Sequence, residues 1–260
     1  MNRNNVSDRI VSIKDAVDKL YIKGQMDNYI VTGIDSLDRI LGDMKKGSLI
    51  LLGARPQTGM TQFSLNIAYN TAKVTGKKTL FIPYEHSKEQ IAARTIWMLS
   101  GISDTLSDVP LLIYDDHDSY IGRPFERIIE DAEEIENLGM IVVDFIQLMP
   151  DYCLPLQESF EKIICLLKET AEKLNVTVIL NYLLPSINDY GIVGGRDDTI
   201  SDMVSGCGFD KADAEIILSK VSEYQDKYDD KIPLKCRIRV HKREPYRFMI
   251  GCKDGRFYEL

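Results

Sequence analysis

The chain has 260 residues, 44% of them hydrophobic and 28% charged, and a formal net charge of −8. This is ordinary globular composition, enough for one large α/β domain or two small ones at about 150 residues each, and it excludes a disordered chain, a collagen-like fibre and a small disulfide scaffold. No run of about 18 uncharged apolar residues occurs, so no membrane-spanning helix is predicted.

Val6, Ile10, Ile13, Val17 and Leu20 recur at spacings of four and three, with Gly24 beyond them. The pattern predicts an amphipathic helix with a glycine stop, packed either on its own domain or on a neighbouring subunit. A polar stretch at residues 23–29 follows, so residues 1–29 read as a helix and arm ahead of a domain spanning 30–260. Short apolar runs then alternate with helical patterns. The runs are residues 49–53, 80–83, 111–114, 141–144, 176–180 and 214–218; the helical patterns are 62–74, 88–99, 125–138 and 159–174. Strands apolar at consecutive positions are buried on both faces, so the alternation predicts a mainly parallel sheet flanked by helices. Ser87-Lys88-Glu89-Gln90 reads as a capping box. Six acids against one base between Glu126 and Glu136 form the solvated face of a helix, and a looser, glycine-rich stretch covers 185–196.

The C-terminal end, residues 237–240, 247–250 and 257–259, reads as antiparallel strands with turns at Glu244-Pro245 and Asp254-Gly255. It is basic: eight Lys or Arg against two acids between Lys235 and Arg256. That segment admits three readings, a solvated strand face, a subunit-interface site for a neighbour's nucleotide, and direct DNA binding. The overall −8 argues only weakly against nucleic acid. Five widely spaced cysteines (Cys153, Cys165, Cys207, Cys236, Cys252) form no Cys-x-x-Cys pair and read as free thiols of a reducing, cytoplasmic compartment. His86, His117 and His241 have no partner at ligand spacing.

The chemistry centres on Gly53-Ala54-Arg55-Pro56-Gln57-Thr58-Gly59-Met60-Thr61-Gln62, a glycine-bounded turn between a buried strand and a helix. In a phosphate loop of this kind, backbone N–H groups and a helix N-terminus point at phosphate oxygens. A lysine adds charge at the β/γ-phosphates and a Ser/Thr hydroxyl binds Mg²⁺. Thr61 supplies the hydroxyl, but the lysine position holds Met60, whose thioether can neither donate nor neutralise charge. Asp144 ends an apolar strand, where a Mg²⁺ ligand belongs, and Glu85 lies just past another, where a base could polarise an attacking water.

With these residues in view, the chain resembles the C-terminal RecA-like ATPase domain of DnaB-type replicative helicases. The resemblance rests on Thr32-Gly33-Ile34-Asp35-Ser36-Leu37-Asp38-Arg39, on Lys46-Gly47-Ser48-Leu49-Ile50 and on Ala54-Arg55-Pro56. It continues through Asp144-Phe145-Ile146-Gln147-Leu148-Met149, Asn175-Val176-Thr177-Val178-Ile179, Ile200-Ser201-Asp202-Met203 and Ala212-Asp213-Ala214-Glu215. It implies a RecA-like P-loop NTPase fold, ATP and Mg²⁺ as cofactors, Thr61 and Asp144 at the metal, and Glu85 and Asp144 as catalytic residues. It further implies nucleotide contacts along Arg55–Gln62, a neighbour's phosphate reached by Lys242 or Arg243, and a helix over 6–23 packed on an adjacent subunit. Partners would be further copies in a ring or filament, or helicase-complex subunits, and single-stranded DNA.

The chain departs from that pattern in a cluster. Met60 replaces the loop lysine, Tyr182 replaces a glutamine that senses the γ-phosphate, Leu184-Pro185 replaces a polar-basic pair, and Val204-Ser205 replaces a DNA-contacting Arg-Glu. The stretch between Gly101 and Leu111 is short, and Arg55, Lys45 or Lys46 are the candidates for a displaced charge. Three functions follow as expectations: a DnaB-like helicase domain with impaired ATP binding and hydrolysis, a catalytically inactive helicase-like module that associates with replication proteins, and a RecA-like regulator that oligomerises without unwinding.

Overall fold

The computed structural model describes residues 30–42, 44–100, 108–115, 125–149, 156–184, 209–221, 233–240 and 245–260. The expected helix at 6–23, its arm, the looser stretch at 185–196, residues 200–205 and the His241-Lys242-Arg243 segment lie outside the described residues. The helices are α1 (Asp35–Leu41), α2 (Met60–Thr75), α3 (Lys88–Leu99), α4 (Phe125–Glu133) and α5 (Leu156–Leu174). The strands are β1 (Leu49–Ala54), β2 (Lys78–Pro83), β3 (Leu111–Ile113), β4 (Leu138–Asp144), β5 (Thr177–Leu183), β6 (Ala214–Lys220), β7 (Leu234–Val240), β8 (Tyr246–Lys253) and β9 (Arg256–Glu259).

They form a nine-stranded sheet in the order β3-β2-β4-β5-β1-β6-β7-β8-β9. From β3 to β6 neighbouring strands run parallel; β7, β8 and β9 add on antiparallel. Every residue of β1 is buried, as a strand covered on both faces requires. Alternate side chains feed two cores. Ile50, Leu52 and Ala54 pack with Phe63 and Ile67 of α2 and Ile91 of α3. Leu49 and Leu51 pack on the other face with Ile128 and Ile129 of α4 and Ile164 and Leu167 of α5.

The expected helix over 125–138 stops at Glu133. Asn137 takes a positive φ of 60°, its carbonyl accepts from the Lys78 N–H at 3.0 Å, and Leu138 pairs with Lys78. Sheet pairing therefore claims the residues that helical periodicity assigns to the last turn. The capping box forms as expected, with the Ser87 side chain accepting from Gln90 N–H and the Gln90 side chain accepting from Ser87 N–H. Asp254 and Gly255 make the β8–β9 turn, both at positive φ. The reading of Arg237 as part of a solvated strand face is wrong: it is 6% exposed, with Nη2 3.8 Å from Glu215 Oε2 of β6. A guanidinium on a covered stretch of sheet is tolerated because a buried carboxylate faces it.

The Thr32–Asp38 stretch is a structural lock. Asp38 Oδ1 accepts from both Thr32 N–H and Thr32 Oγ1, each at 2.6 Å, and Oδ2 accepts from Gly33 N–H at 3.2 Å. The Asn70 amide on α2 donates to the Thr32 carbonyl at 2.9 Å, tying this loop to the helix behind the phosphate loop. One carboxylate thus satisfies three donors that no regular element serves. Asp38→Ala is expected to cost about 1.5–3 kcal/mol, the range for hydrogen bonds to a charged group. Urea unfolding at constant m-value measures it, and a loss within about 0.5 kcal/mol of zero, that of a neutral surface change, contradicts the lock.

Candidate nucleotide site

The site gathers at the carboxyl ends of β1, β2, β4 and β5, where parallel α/β sheets present their ligands. Beyond β1 the chain turns, with Thr58 N–H donating to the Arg55 carbonyl at 3.3 Å and Gln57 at φ 62°. Gly59 then takes φ 95°, a left-handed conformation natural only to glycine, and its carbonyl accepts from Phe63 N–H at 2.9 Å. No side chain caps α2. Its first amides therefore remain for a ligand, and a helix N-terminus favours an anion.

The loop residues differ in what they offer. Pro56, Gln57 and Gly59 are exposed, Arg55 and Thr61 partly so, and Thr58 is buried. Met60 is 6% exposed and joins the α2-side core. Gln62 is anchored elsewhere: its Nε2 donates to the Gly255 carbonyl at 3.0 Å, and Asn66 Nδ2 donates to the same oxygen at 2.7 Å. The Phe63 ring meets Phe257 edge-on, centroids 5.0 Å apart, so β9 and the β8–β9 turn brace the start of α2.

Asp144 is fully buried at the end of β4. Its Oδ1 accepts from Thr61 Oγ1 at 3.2 Å and from Asn181 Nδ2 at 2.8 Å; Asn181 Nδ2 also lies 2.8 Å from Ser64 Oγ. Oδ2 has no hydrogen-bond partner among the described residues. Burial pushes the carboxyl above its ordinary range, and the Asn181 and Thr61 hydrogen bonds oppose that push. The structure thus brings Thr61 and Asp144 together. A hydroxyl beside a buried carboxylate with one unserved oxygen fits an oxygen-seeking cation such as Mg²⁺. Glu85, exposed and just past β2, is close enough to raise the Asp144 carboxyl further, while His86 acts in the opposite sense. Lys242 and Arg243 lie outside the described residues.

Tyr182 does not face the phosphate loop helix. Strand alternation turns Asn181 toward α2 and Tyr182 to the α5 face, where its hydroxyl donates to Glu215 Oε1 at 2.9 Å and its ring meets Phe160 edge-on. Burial, reinforced by the Glu215 carboxylate, pushes the phenol well above its usual range. The ring lies over Gly53, where a Cβ would come within 2.5 Å of Tyr182 Cζ. Gly53 is therefore demanded by this ring. Asn181, Ser64 and the Glu215–Arg237 pair are polar groups that sequence reasoning misses. A signal for Asn181 exists, because it shares parity with Ile179, which packs on the α2 side.

Comparison with known proteins agrees with this fold. Residues 30–105 match the family described as DnaB-like helicase C terminal domain. A probable replicative DNA helicase of Trieres chinensis is 28% identical over 222 residues, covering 76% of this chain and 47% of that protein. The replicative DNA helicase DnaB of Geobacillus stearothermophilus is 27% identical over 166 residues, covering 56% and 36%. Among solved structures, one of an ATPase domain superposes with a TM-score of 0.73 at 20% identity, covering 96% of this chain and 99% of that one. A DnaB-like replicative helicase solved in a study of its interactions with primase gives 0.70 at 20% identity, covering 96% and 67%. The chain spans about half the length, or less, of these curated relatives. The fold is RecA-like, and the resemblance to DnaB-type helicase domains holds in sequence over the loop region and in fold over nearly the whole chain.

Two outcomes test the site. Gly53→Ala should destabilise by about 1–3 kcal/mol through overpacking against Tyr182. In Gly53→Ala/Tyr182→Ala the loss should be smaller than the sum of the single losses, measured by urea unfolding; strict additivity would separate the two residues. For Asp144, the folded carboxyl sits above its unfolded value. Its contribution to stability is therefore fully present below the unfolded range and is lost as pH rises through the folded one. In metal-free buffer, Asp144→Asn should gain stability relative to wild type as pH rises from the ordinary carboxylate range, about 4, through the raised folded range of Asp144. A pH-independent difference would refute the assigned shift.

Proposed function

We propose that this chain is a DnaB-like replicative helicase domain of the RecA type whose ATP binding and hydrolysis are impaired by Met60. The observation that carries the proposal is the pairing of Thr61 with a buried Asp144 beside a loop whose lysine position is filled by a core methionine. In this reading the α2 N-terminus and the Arg55–Thr61 turn receive the phosphates, and Thr61 and Asp144 hold the metal. Glu85 accepts the proton of the attacking water. Bound Mg²⁺ would supply charge neutralisation at the β/γ-phosphates. Lys242 or Arg243 reaches a neighbouring copy's nucleotide in a ring or filament, and single-stranded DNA is the polymer engaged.

The cost of the missing lysine follows from its chemistry. One charge-assisted hydrogen bond is worth about 1.5–3 kcal/mol, or roughly ten- to a hundred-fold in affinity. Phosphoryl transfer loses more, because the same charge stabilises the transition state. A second reading, a catalytically inactive module that associates with replication proteins, draws support from Tyr182, whose hydroxyl is committed to Glu215 on the opposite sheet face.

A Mg·ATP titration of wild type beside Met60→Lys separates the two. The impaired-motor reading expects weak wild-type binding, with affinity rising about ten- to a hundred-fold in the variant and hydrolysis appearing. Micromolar wild-type affinity with turnover stimulated by single-stranded DNA would remove the impairment. A variant with no gain in affinity would favour the binding module.

A further inference from the structure

We propose that His86, fixed by Arg94, is a positioning residue for the Glu85 carboxylate. The proposal rests on the reading of Glu85 as the base and adds to it the group that orients that base.

The segment carrying Glu85 is held at both ends. Tyr84 N–H donates to the Asp144 carbonyl at 2.7 Å, and Ser87 N–H donates to Gln90 Oε1 at 2.9 Å in the capping box of α3. Between these anchors, His86 is turned toward Arg94 two turns along α3, with Nε2 3.0 Å from Arg94 Nη2. A guanidinium has donors and no acceptor. His86 Nε2 must therefore offer its lone pair, which leaves the ring proton on Nδ1. The arrangement selects one tautomer through a partner that cannot reverse its role.

Nδ1 is buried and has no hydrogen-bond partner among the described residues. It lies 3.8 Å from Glu85 Oε2, outside hydrogen-bond range but facing the carboxylate. A buried donor left unsatisfied is costly, and an acceptor is within a short side-chain movement. Glu85 is half-exposed and can make that movement. Catalytic hydrogen bonds are often long in a ligand-free enzyme and tighten when the reacting complex closes. The chain Arg94–His86–Glu85 then holds the carboxylate in one orientation through a donor whose own orientation is set from behind. His86 touches no reacting atom; it acts through Glu85.

The test has a spectroscopic and a kinetic arm. Histidine ¹⁵N NMR on the whole chain at pH about 8, above the ordinary imidazole range, reads the tautomer directly. His86→Asn assigns its signal among the three histidines. Wild type should show Nδ1–H. Arg94→Leu should shift the population toward Nε2–H, and Glu85→Gln should move the His86 Nδ1 resonance. An Nε2–H tautomer in wild type, or indifference to both substitutions, overturns the proposal.

The kinetic arm uses the Met60→Lys background and single-turnover hydrolysis at saturating Mg·ATP. His86→Gln keeps an acceptor toward Arg94 but removes the donor toward Glu85. His86→Asn keeps a donor at the Nδ1 position. His86→Gln should lose about ten- to a hundred-fold in rate with nucleotide affinity unchanged, the scale of a misplaced catalytic group, and His86→Asn should lose less. Equal losses contradict positioning through Nδ1. A background that binds nucleotide but hydrolyses none disproves Glu85 as a working base, while the Glu85→Gln resonance shift still decides whether His86 addresses it.

Discussion

A fully buried carboxylate at the end of β4 is the constraint around which the rest of the molecule is arranged. Removing Asp144 from water is expensive unless donors replace the lost hydration. Two are supplied, one by Thr61 in the first turn of α2 and one by Asn181 on β5. Those two hydrogen bonds tie the first turn of α2 and strand β5 to the end of β4. They serve only one of the two oxygens, so among the described residues the site retains an unsatisfied acceptor. Proteins keep such deficits at functional sites and offset them elsewhere.

The offset is visible along α2. Its first turn is tied to Asp144, and Gln62 and Asn66 both donate to the Gly255 carbonyl. Asn70 and Thr71 bond the loop ahead of α1. Contacts from three distant parts of the chain hold one helix in line with the loop that starts it. The antiparallel end, basic in sequence, contributes first as a brace: β9 sets Phe257 against Phe63, and Arg237 is spent inside the fold facing Glu215. A charge count along β7 and β8 therefore overstates how much cation this edge offers to a ligand.

The parity of β5 divides two adjacent residues between two jobs. Asn181 joins the polar cluster under α2, while Tyr182 crosses to the α5 face, fills the space above Gly53 and bonds Glu215. Tyr182 thereby closes a core. Met60 does the same on the α2 side. Both side chains are committed to packing, Met60 on the α2 side and Tyr182 on the α5 side.

Local pattern is enough to establish the parallel core, the order of its strands along the chain, the glycine-bounded loop and the capping box at Ser87. Each depends on periodicity or on spacing that survives without coordinates. The end of α4 is misjudged from sequence because acids at helical spacing continue past Glu133, and only the pairing of Leu138 with Lys78 shows that the sheet takes those residues first. Arg237 reads as solvated because alternation gives parity without saying what covers a face. That Asn181 rather than Tyr182 supports Asp144, and that His86 is gripped by Arg94 beside Glu85, emerges only in three dimensions. Those contacts join groups on different elements, and which atoms meet is fixed by packing, which no one-dimensional pattern encodes.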